Sequence, residues 1–364
     1  MNKPLYKKIA EDIKKKILTN EYSIGSQLPT EAELVNIYSV SKITINSALK
    51  SLTEEQLIVR QKGKGTFVNP NGASIIQQEK NVENNKRKIG LVFTDFFPHY
   101  GIDLVKSIED TIADKAQLLF SLSHDDINNE KKIINNFKKS KVDGIIILPS
   151  RSEFLNNELV QLVIDDFPVV FIDLNIQIYN QYSVSTDNID AIYKALDYIS
   201  ATSSSNLAVC YSATNDTVQN DRLQAIKNYS AENMINIPQE NWINNINTKA
   251  TSITDDDIDN VATFMNAHPT VKTFFALSYE VAETIKYAAK SLNKQIPSDV
   301  RIICFDSPPT LYGLPEFTHI KQNEKLIGEK AVEMVMQLIA KKTLPEKKVL
   351  IPAKISEGIS FPRK

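Results

Sequence analysis

The sequence predicts an α/β chain made of a small winged helix-turn-helix head and a larger body of two α/β lobes. Three observations carry that reading. Between Leu28 and Val68, two short helical patterns separated by a Ser-Val-Ser break run into two strand-like stretches around a glycine-lysine turn. From Lys88 onward, apolar strand-like runs alternate with amphipathic helical ones, and the alternation restarts at Leu207. Between the two regions the composition turns polar and Asn/Gln-rich, as a linker does.

The head opens with Pro4, a residue suited to the first position of a helix, followed by Leu5, Ile9, Ile13 and Ile17 at steps of four. Lys7, Lys8, Lys14, Lys15 and Lys16 fall outside that stripe and read as a solvated face. Thr30 with Glu33 three residues on forms a capping-box start for a helix carrying Leu34, Ile37 and Tyr38. Ser41 offers a second N-cap. The helix after it is expected to turn Ile43, Ala48, Leu49 and Leu52 inward and to leave Lys42, Thr44, Asn46, Ser47 and Lys50 polar. The second helix of such a pair can enter a DNA major groove. Leu57–Arg60 and Thr66–Val68 then read as strands about Gln61-Lys62-Gly63-Lys64-Gly65. Glycines there permit positive φ and close approach to a backbone, and the lysines supply charge for phosphates. The same stretch also suits a plain helical hairpin with a solvated lysine loop.

In the body, Ile89–Phe93, Gln117–Leu122, Val142–Leu148 and Phe167–Asp173 read as strands, with helices over 101–115 and 129–140 between them. Leu207–Tyr211, Thr273–Leu277 and Val300–Phe305 continue the pattern. Continuous apolar strands alternating with helices indicate parallel sheets covered on both faces. Two units of similar length imply two lobes with a cleft between them.

The net charge of −2 conceals a split. Residues 1–70 hold eleven Lys+Arg against seven Asp+Glu, +4, which leaves −6 for the remainder. A basic head on an acidic body fits a DNA-reading module joined to something that does not touch DNA. The excess is modest, so tight binding is expected to need a homodimer. Cys210 and Cys304 sit apart in apolar runs and read as reduced core thiols, which with the absence of an apolar signal region leads to a cytoplasmic expectation. No run approaches a membrane span, and no membrane partner is expected. The four histidines are isolated from any carboxylate or thiol cluster, so neither a metal site nor a cofactor is expected.

The order LPTE, VSKITINSAL, GKGTFV within one small domain resembles the winged-helix head of GntR-family bacterial regulators, over residues 4–69. Members of that family usually carry arginines after the LPxE glutamate and twice along the recognition helix; here those places hold Ala32, Lys42 and Asn46. The resemblance implies double-stranded operator DNA as partner, contacted through Thr30, Lys42, Thr44, Asn46 and Ser47 and from the wing through Lys62, Gly63 and Lys64. The bidentate arginine-to-guanine contact of such helices is unavailable at those places, so a different base preference is expected.

A second resemblance covers about 88–362. IGLVFTD, VDGIIILPS, PVVFID, STDN at 185–188, VRIICFD and IKQNEKLIGEKAVEMV fall in the order found in the LacI/ribose-binding-protein family of sugar sensors. A GntR head on a LacI-like body is the architecture of AraR-type arabinose repressors. The resemblance implies a periplasmic-binding-protein-like body, one lobe at roughly 88–186 plus 323–341 and the other at 187–322 plus 342–362. The domain plan is then 1–70 for the head, 71–87 for the linker and 88–364 for the sensing and dimerising body.

Ligands in such folds sit beyond the carboxyl ends of the strands, between the lobes. The candidates are Asp95, Phe96, Tyr100, Arg151, Arg222, Ser278, Asp306 and Gln322, a set of carboxylate, guanidinium, amide and aromatic groups suited to a small carbohydrate-like effector. Arg222 in QNDRLQAI matches the family's RLxGF arginine, and Ser278-Tyr279 replaces its usual Asn-Asp. Alternatives stand beside them: Asp95 and Tyr100 also suit a helix cap, Phe96 the core, Arg222 a helix surface, and Asp306 a turn before Pro308-Pro309.

The expected function is a DNA-binding regulator, a repressor, whose operator binding answers to an effector in the cleft, and not an enzyme. The competing reading is a winged-helix head fused to an enzyme-like domain, as in GntR proteins with aminotransferase-like bodies; that needs a larger body and a lysine for a pyridoxal phosphate Schiff base. A transport binding protein is a third reading, against which the absent signal peptide argues.

Overall fold

The computed structural model describes residues 4–70, 86–150, 156–173, 181–202, 206–213, 217–247, 253–310 and 312–363. It divides into two compact units, Met1–Lys86 and Arg87–Lys364, and each is described by itself.

The first unit holds α1 (Leu5–Leu18), α2 (Glu31–Tyr38), α3 (Lys42–Glu54) and an antiparallel hairpin of β1 (Ile58–Gln61) and β2 (Gly65–Val68). Thr30 and Glu33 close a reciprocal capping box at the start of α2, and Ser39 in the left-handed region ends it. Ser41 then caps α3, accepting from the Thr44 amide. Ile9, Ile13, Ile17, Leu34, Ile45, Leu49, Leu52, Leu57 and Val68 form the core.

Two inward expectations fail here for one geometric reason. A step of four residues turns a helix by about 400°, so over three steps Leu5 drifts about 120° from Ile17 and lies 55% exposed. Ile43 lies two residues from the buried Ile45, about 200° round the helix, and is 79% exposed. Ile37, three residues after the buried Leu34, is exposed although it lies within about 60° of that residue round the helix.

The second unit runs β3 (Arg87–Phe93), α4 (Ile102–Ile112), β4 (Ala116–Leu122), α5 (Ile127–Lys139), β5 (Gly144–Ile147), α6 (Asn157–Ile164), β6 (Val169–Ile172) and β7 (Tyr182–Thr186). The chain then passes through α7 (Asn188–Thr202), β8 (Asn206–Ser212), α8 (Thr217–Glu232), β9 (Trp242–Ile246), α9 (Asp255–Ala267), β10 (Val271–Ala276), α10 (Tyr279–Ser291), β11 (Arg301–Phe305) and β12 (Thr318–Lys321). It closes with α11 (Glu324–Ile339), β13 (Lys348–Ile351) and β14 (Lys354–Ser356).

Two sheets result, ordered β13-β7-β6-β5-β3-β4 and β14-β12-β11-β10-β8-β9. Every pairing in the first is parallel, and in the second only β12 with β14 is antiparallel. Each sheet is covered on both faces: in the first lobe by α4 and α11 on one side and α5 and α6 on the other. In the second lobe α9 and α10 cover one face, α7 and α8 the other.

One lobe boundary is corrected. The segment after residue 341 was expected in the second lobe, yet Lys348–Ile351 pairs with Ser183–Thr186 at the edge of the first sheet. An unpaired β7 edge would leave a row of backbone donors and acceptors open, and β13 satisfies them. The last crossover therefore falls between Ile351 and Lys354.

Candidate DNA-reading face and interlobe ligand site

On the head, the buried side of α3 (Ile45, Ala48, Leu49, Leu52) leaves residues 43, 46, 47 and 50 on its outward side. Lys42 is exposed, its Nζ 3.7 Å from Glu31. The Thr44 hydroxyl lies 2.8 Å from Ser41 Oγ, and the Ser47 hydroxyl donates to the Ile43 carbonyl, so both are engaged in local helix bonds. Thr30 is likewise committed to its capping box, its hydroxyl donating to Glu33 at 2.8 Å. The wing tip carries Lys62, Gly63 and Lys64, with Gly63 at φ +76° and Gly65 at φ +120° making the turn.

A residue that sequence reasoning passed over joins this face. Arg60, on β1, donates from its guanidinium to Asn46 Oδ1 at 3.2 Å and lies 3.8 Å from Glu31. Arg60 is the single arginine of residues 1–70, and that was the available signal. Its guanidinium thus stands beside the position where the helix lacks its usual arginine. These contacts are solvent-exposed and hold the side chains only weakly, so they can be exchanged for others.

In the body, the carboxyl ends of the strands bring together a buried polar network. The Thr186 hydroxyl, at the end of β7, donates to Gln322 Oε1, and Gln322 Nε2 donates to Asp306 Oδ2 at 2.8 Å. Thr186 belongs to the first lobe, Asp306 to the second and Gln322 to the crossover, so one chain of bonds spans the lobes. Asp306 sits just past β11 in the left-handed region (φ +56°), its amide bonded to the Ile320 carbonyl. Burial pushes its carboxyl up to about 7, against the opposing pull of the Arg222 guanidinium and the Gln322 amide.

Arg222 projects from α8 into the same region and is 9% exposed. Its Nε donates to Asn188 Oδ1 and one terminal nitrogen to the Leu277 carbonyl, each at 2.9 Å. The guanidinium lies 3.4 Å from the centroid of the Phe305 ring, a stacking cation–π contact. Arg222 is therefore a buried member of the strand-end network rather than a helix-surface residue.

From the first lobe, the loop between β3 and α4 adds an aromatic group. The Tyr100 hydroxyl is buried without a well-formed hydrogen bond, and its pKa is raised well above normal by burial and then by Asp173, Glu324 and Asp306. Glu324 Oε2 accepts from the amides of Gly101 and Leu104 at 2.8 and 3.2 Å, fixing the loop where α4 begins. Gly101 stands at φ +104°, and a Cβ there would come within 2.7 Å of the Phe93 ring. His99 reaches the second lobe: its ring centroid is 4.7 Å from that of Tyr279, and its Nε2 is 3.4 Å from Glu280.

Of the eight candidates, Tyr100, Arg222, Asp306 and Gln322 are thus gathered. Asp95 and Phe96 have other neighbours: Asp95 faces His124 at 3.3 Å, and Phe96 stacks on Phe93 and Phe120. Ser278 is the N-cap of α10, its hydroxyl accepting from Val281. Arg151 lies outside the described residues. Sequence reasoning missed His99, Asp173, Asn188, Glu280 and Glu324, each beside a strand end yet unmarked by its type alone. Among the described residues no cluster of three or more His, Cys, Asp or Glu could hold a metal, and no described helix is long and apolar enough to cross a membrane.

A DNA-reading head and a two-lobed binding body define a ligand-responsive transcriptional regulator. Residues 5–68 match the family described as bacterial regulatory proteins, gntR family, and residues 197–361 match the periplasmic binding protein-like domain. The chain joins a GntR-type helix-turn-helix domain to a periplasmic-binding-protein-like domain. The arabinose metabolism transcriptional repressor of Geobacillus stearothermophilus is 22% identical over 360 residues, covering 94% of this chain and 93% of that protein. The ribose operon repressor of Halalkalibacterium halodurans is 24% identical over 269 residues, 73% of this chain and 77% of its own length. Among solved structures, a transcriptional regulator CelR–cellobiose complex superposes with a TM-score of 0.63 at 15% identity, covering 92% of this chain and all of that one. The lac repressor dimer bound to operator and an anti-inducer gives 0.62 at 15% identity, covering 79% and 98%.

Proposed function

We propose that this protein is a cytoplasmic, homodimeric repressor that releases operator DNA, or grips it, according to a small neutral carbohydrate in the interlobe site. The observation that carries the reading is the Thr186–Gln322–Asp306 chain beside Arg222, polar groups of both lobes meeting at the strand ends. A polyhydroxylated ligand would take donors from Arg222 and Gln322, offer hydroxyls to Asp306, and find an aromatic wall in Tyr100. The carboxyl groups of Asp173, Asp306 and Glu324 bear on the Tyr100 phenol, and the Arg222 guanidinium bears on Asp306. Carboxyl groups so placed favour an uncharged sugar over a sugar phosphate. The likeness to arabinose and ribose operon repressors supports a pentose as the first compound to try.

On DNA, Lys42, Asn46 and Arg60 would meet base edges and Lys62 and Lys64 the phosphates. The test is a melting-temperature screen of pentoses, hexoses and their phosphates, since a ligand specific to the native state raises Tm by mass action. Any positive compound is then titrated into a complex with an operator selected from random duplexes. A sugar that raises Tm but leaves operator affinity unchanged would refute the regulatory coupling.

A further inference from the structure

Ile43 is an apolar side chain with no place in the fold. It stands in the first turn of α3, 79% exposed, while the head core closes around Ile45, Ala48, Leu49 and Leu52 without it. Other apolar residues of the head are exposed too, among them Leu5, Ile24 and Ile37. What sets Ile43 apart is its setting. Asn46 and Ser47 lie one turn further along the same side of the helix, Lys50 two turns on, and Lys42 is adjacent. It is thus an aliphatic group in the polar face that would enter a major groove. A polar side chain there would read hydrogen-bonding edges; an isoleucine cannot. The one apolar feature that the major groove displays is the thymine 5-methyl group.

We infer that Ile43 is a specificity-determining residue that packs on a thymine methyl in each half-site. The inference rests on the proposed DNA-reading role of the head and adds to it a base identity. Sequence periodicity assigned Ile43 to the core, so only its position in the fold reveals it. Contact with the methyl removes both groups from water, and the loss of one such group costs roughly fourfold in affinity.

The experiment uses the full-length protein and an operator selected from random duplexes with wild type. Each thymine is replaced in turn by deoxyuridine, which removes the methyl and keeps every hydrogen-bonding edge. For wild type, at least one replacement per half-site is expected to weaken binding roughly fourfold. For Ile43→Ala the same replacement is expected to change nothing, with Tm and the salt slope as in wild type, because the side chain lies outside the core and bears no charge. Ile43→Val should retain most of the methyl dependence. Equal losses for wild type and Ile43→Ala at every thymine, or no loss for either, would overturn the inference while leaving sequence-selective binding intact. Failure to select any preferred sequence would instead overturn the DNA-reading role itself.

Discussion

His99 Nε2 lies 3.4 Å from Glu280 Oε1, one on the loop after β3 and the other at the start of α10, so the pair joins the two lobes. The imidazole also stacks beside Tyr279, and its Nδ1 is buried without a partner. Burial lowers the His99 pKa, and Glu280 only partly opposes that. The contact gives the lobes a link separate from the Thr186–Gln322–Asp306 chain. Glu280→Gln removes the charge and keeps the shape. In that variant the neutral imidazole is favoured further, and effector release should be faster while operator affinity without effector is unchanged. Stopped-flow dissociation of the effector reads the effect; an unchanged rate would show that the contact does not restrain opening.

Asp306 sets a pH dependence of stability with a definite sign. Its folded pKa of about 7 stands above the ordinary value of 3.8, so between those two values the folded state holds more proton than the unfolded one. The stabilisation is fully present below about pH 4 and is lost as pH rises through 7. His99 contributes oppositely over its own window below 6.5, where the unfolded state binds more proton. Comparison with Asp306→Asn isolates the first effect: from pH 5 to 7.5, wild type should lose more stability in urea than the variant. Parallel curves would contradict the raised pKa.

Arg222→Ala should still fold and hold operator DNA yet require far more effector. Loss of a charge-assisted donor pair weakens binding by about 2 kcal/mol or more, some thirtyfold. It also takes the nearest cation from Asp306, whose pKa should climb further, and Tm should drop. Titration of effector into the operator complex measures the first. A variant responding at the wild-type midpoint would move the ligand elsewhere.

The wing and the helix should fail differently. Lys64→Ala is expected to weaken all DNA sequences alike and to lower the salt slope by about one. Arg60→Ala and Asn46→Ala, partners in one 3.2 Å bond, should relax base preference at the same position and be non-additive. Additive losses spread evenly over scrambled operators would place both residues away from the bases.

A homodimer should bind half-sites about one helical turn apart, or a multiple of it. Sedimentation at the concentrations that protect the operator checks this, and a monomer there would refute it.

The sequence by itself determined the parts whose signals are local. Thr30 with Glu33 and Ser41 with its helix mark their caps because a cap is a matter of a few adjacent residues. The apolar runs at 89–93, 145–148 and 302–305 mark parallel strands because burial on both faces removes polar residues from them. Strands with weaker or mixed patterns, β7, β9 and β12 to β14, were not legible, and β13 was given to the wrong lobe. Only the tertiary structure decided that Ile43 faces outward, since helical phase depends on which neighbour the helix packs against. Only it brought Arg60 to Asn46 and His99 to Glu280, pairs 14 and 181 residues apart in sequence. Sites of this kind are assembled from strand ends far apart along the chain, and no local pattern encodes which of those ends will meet.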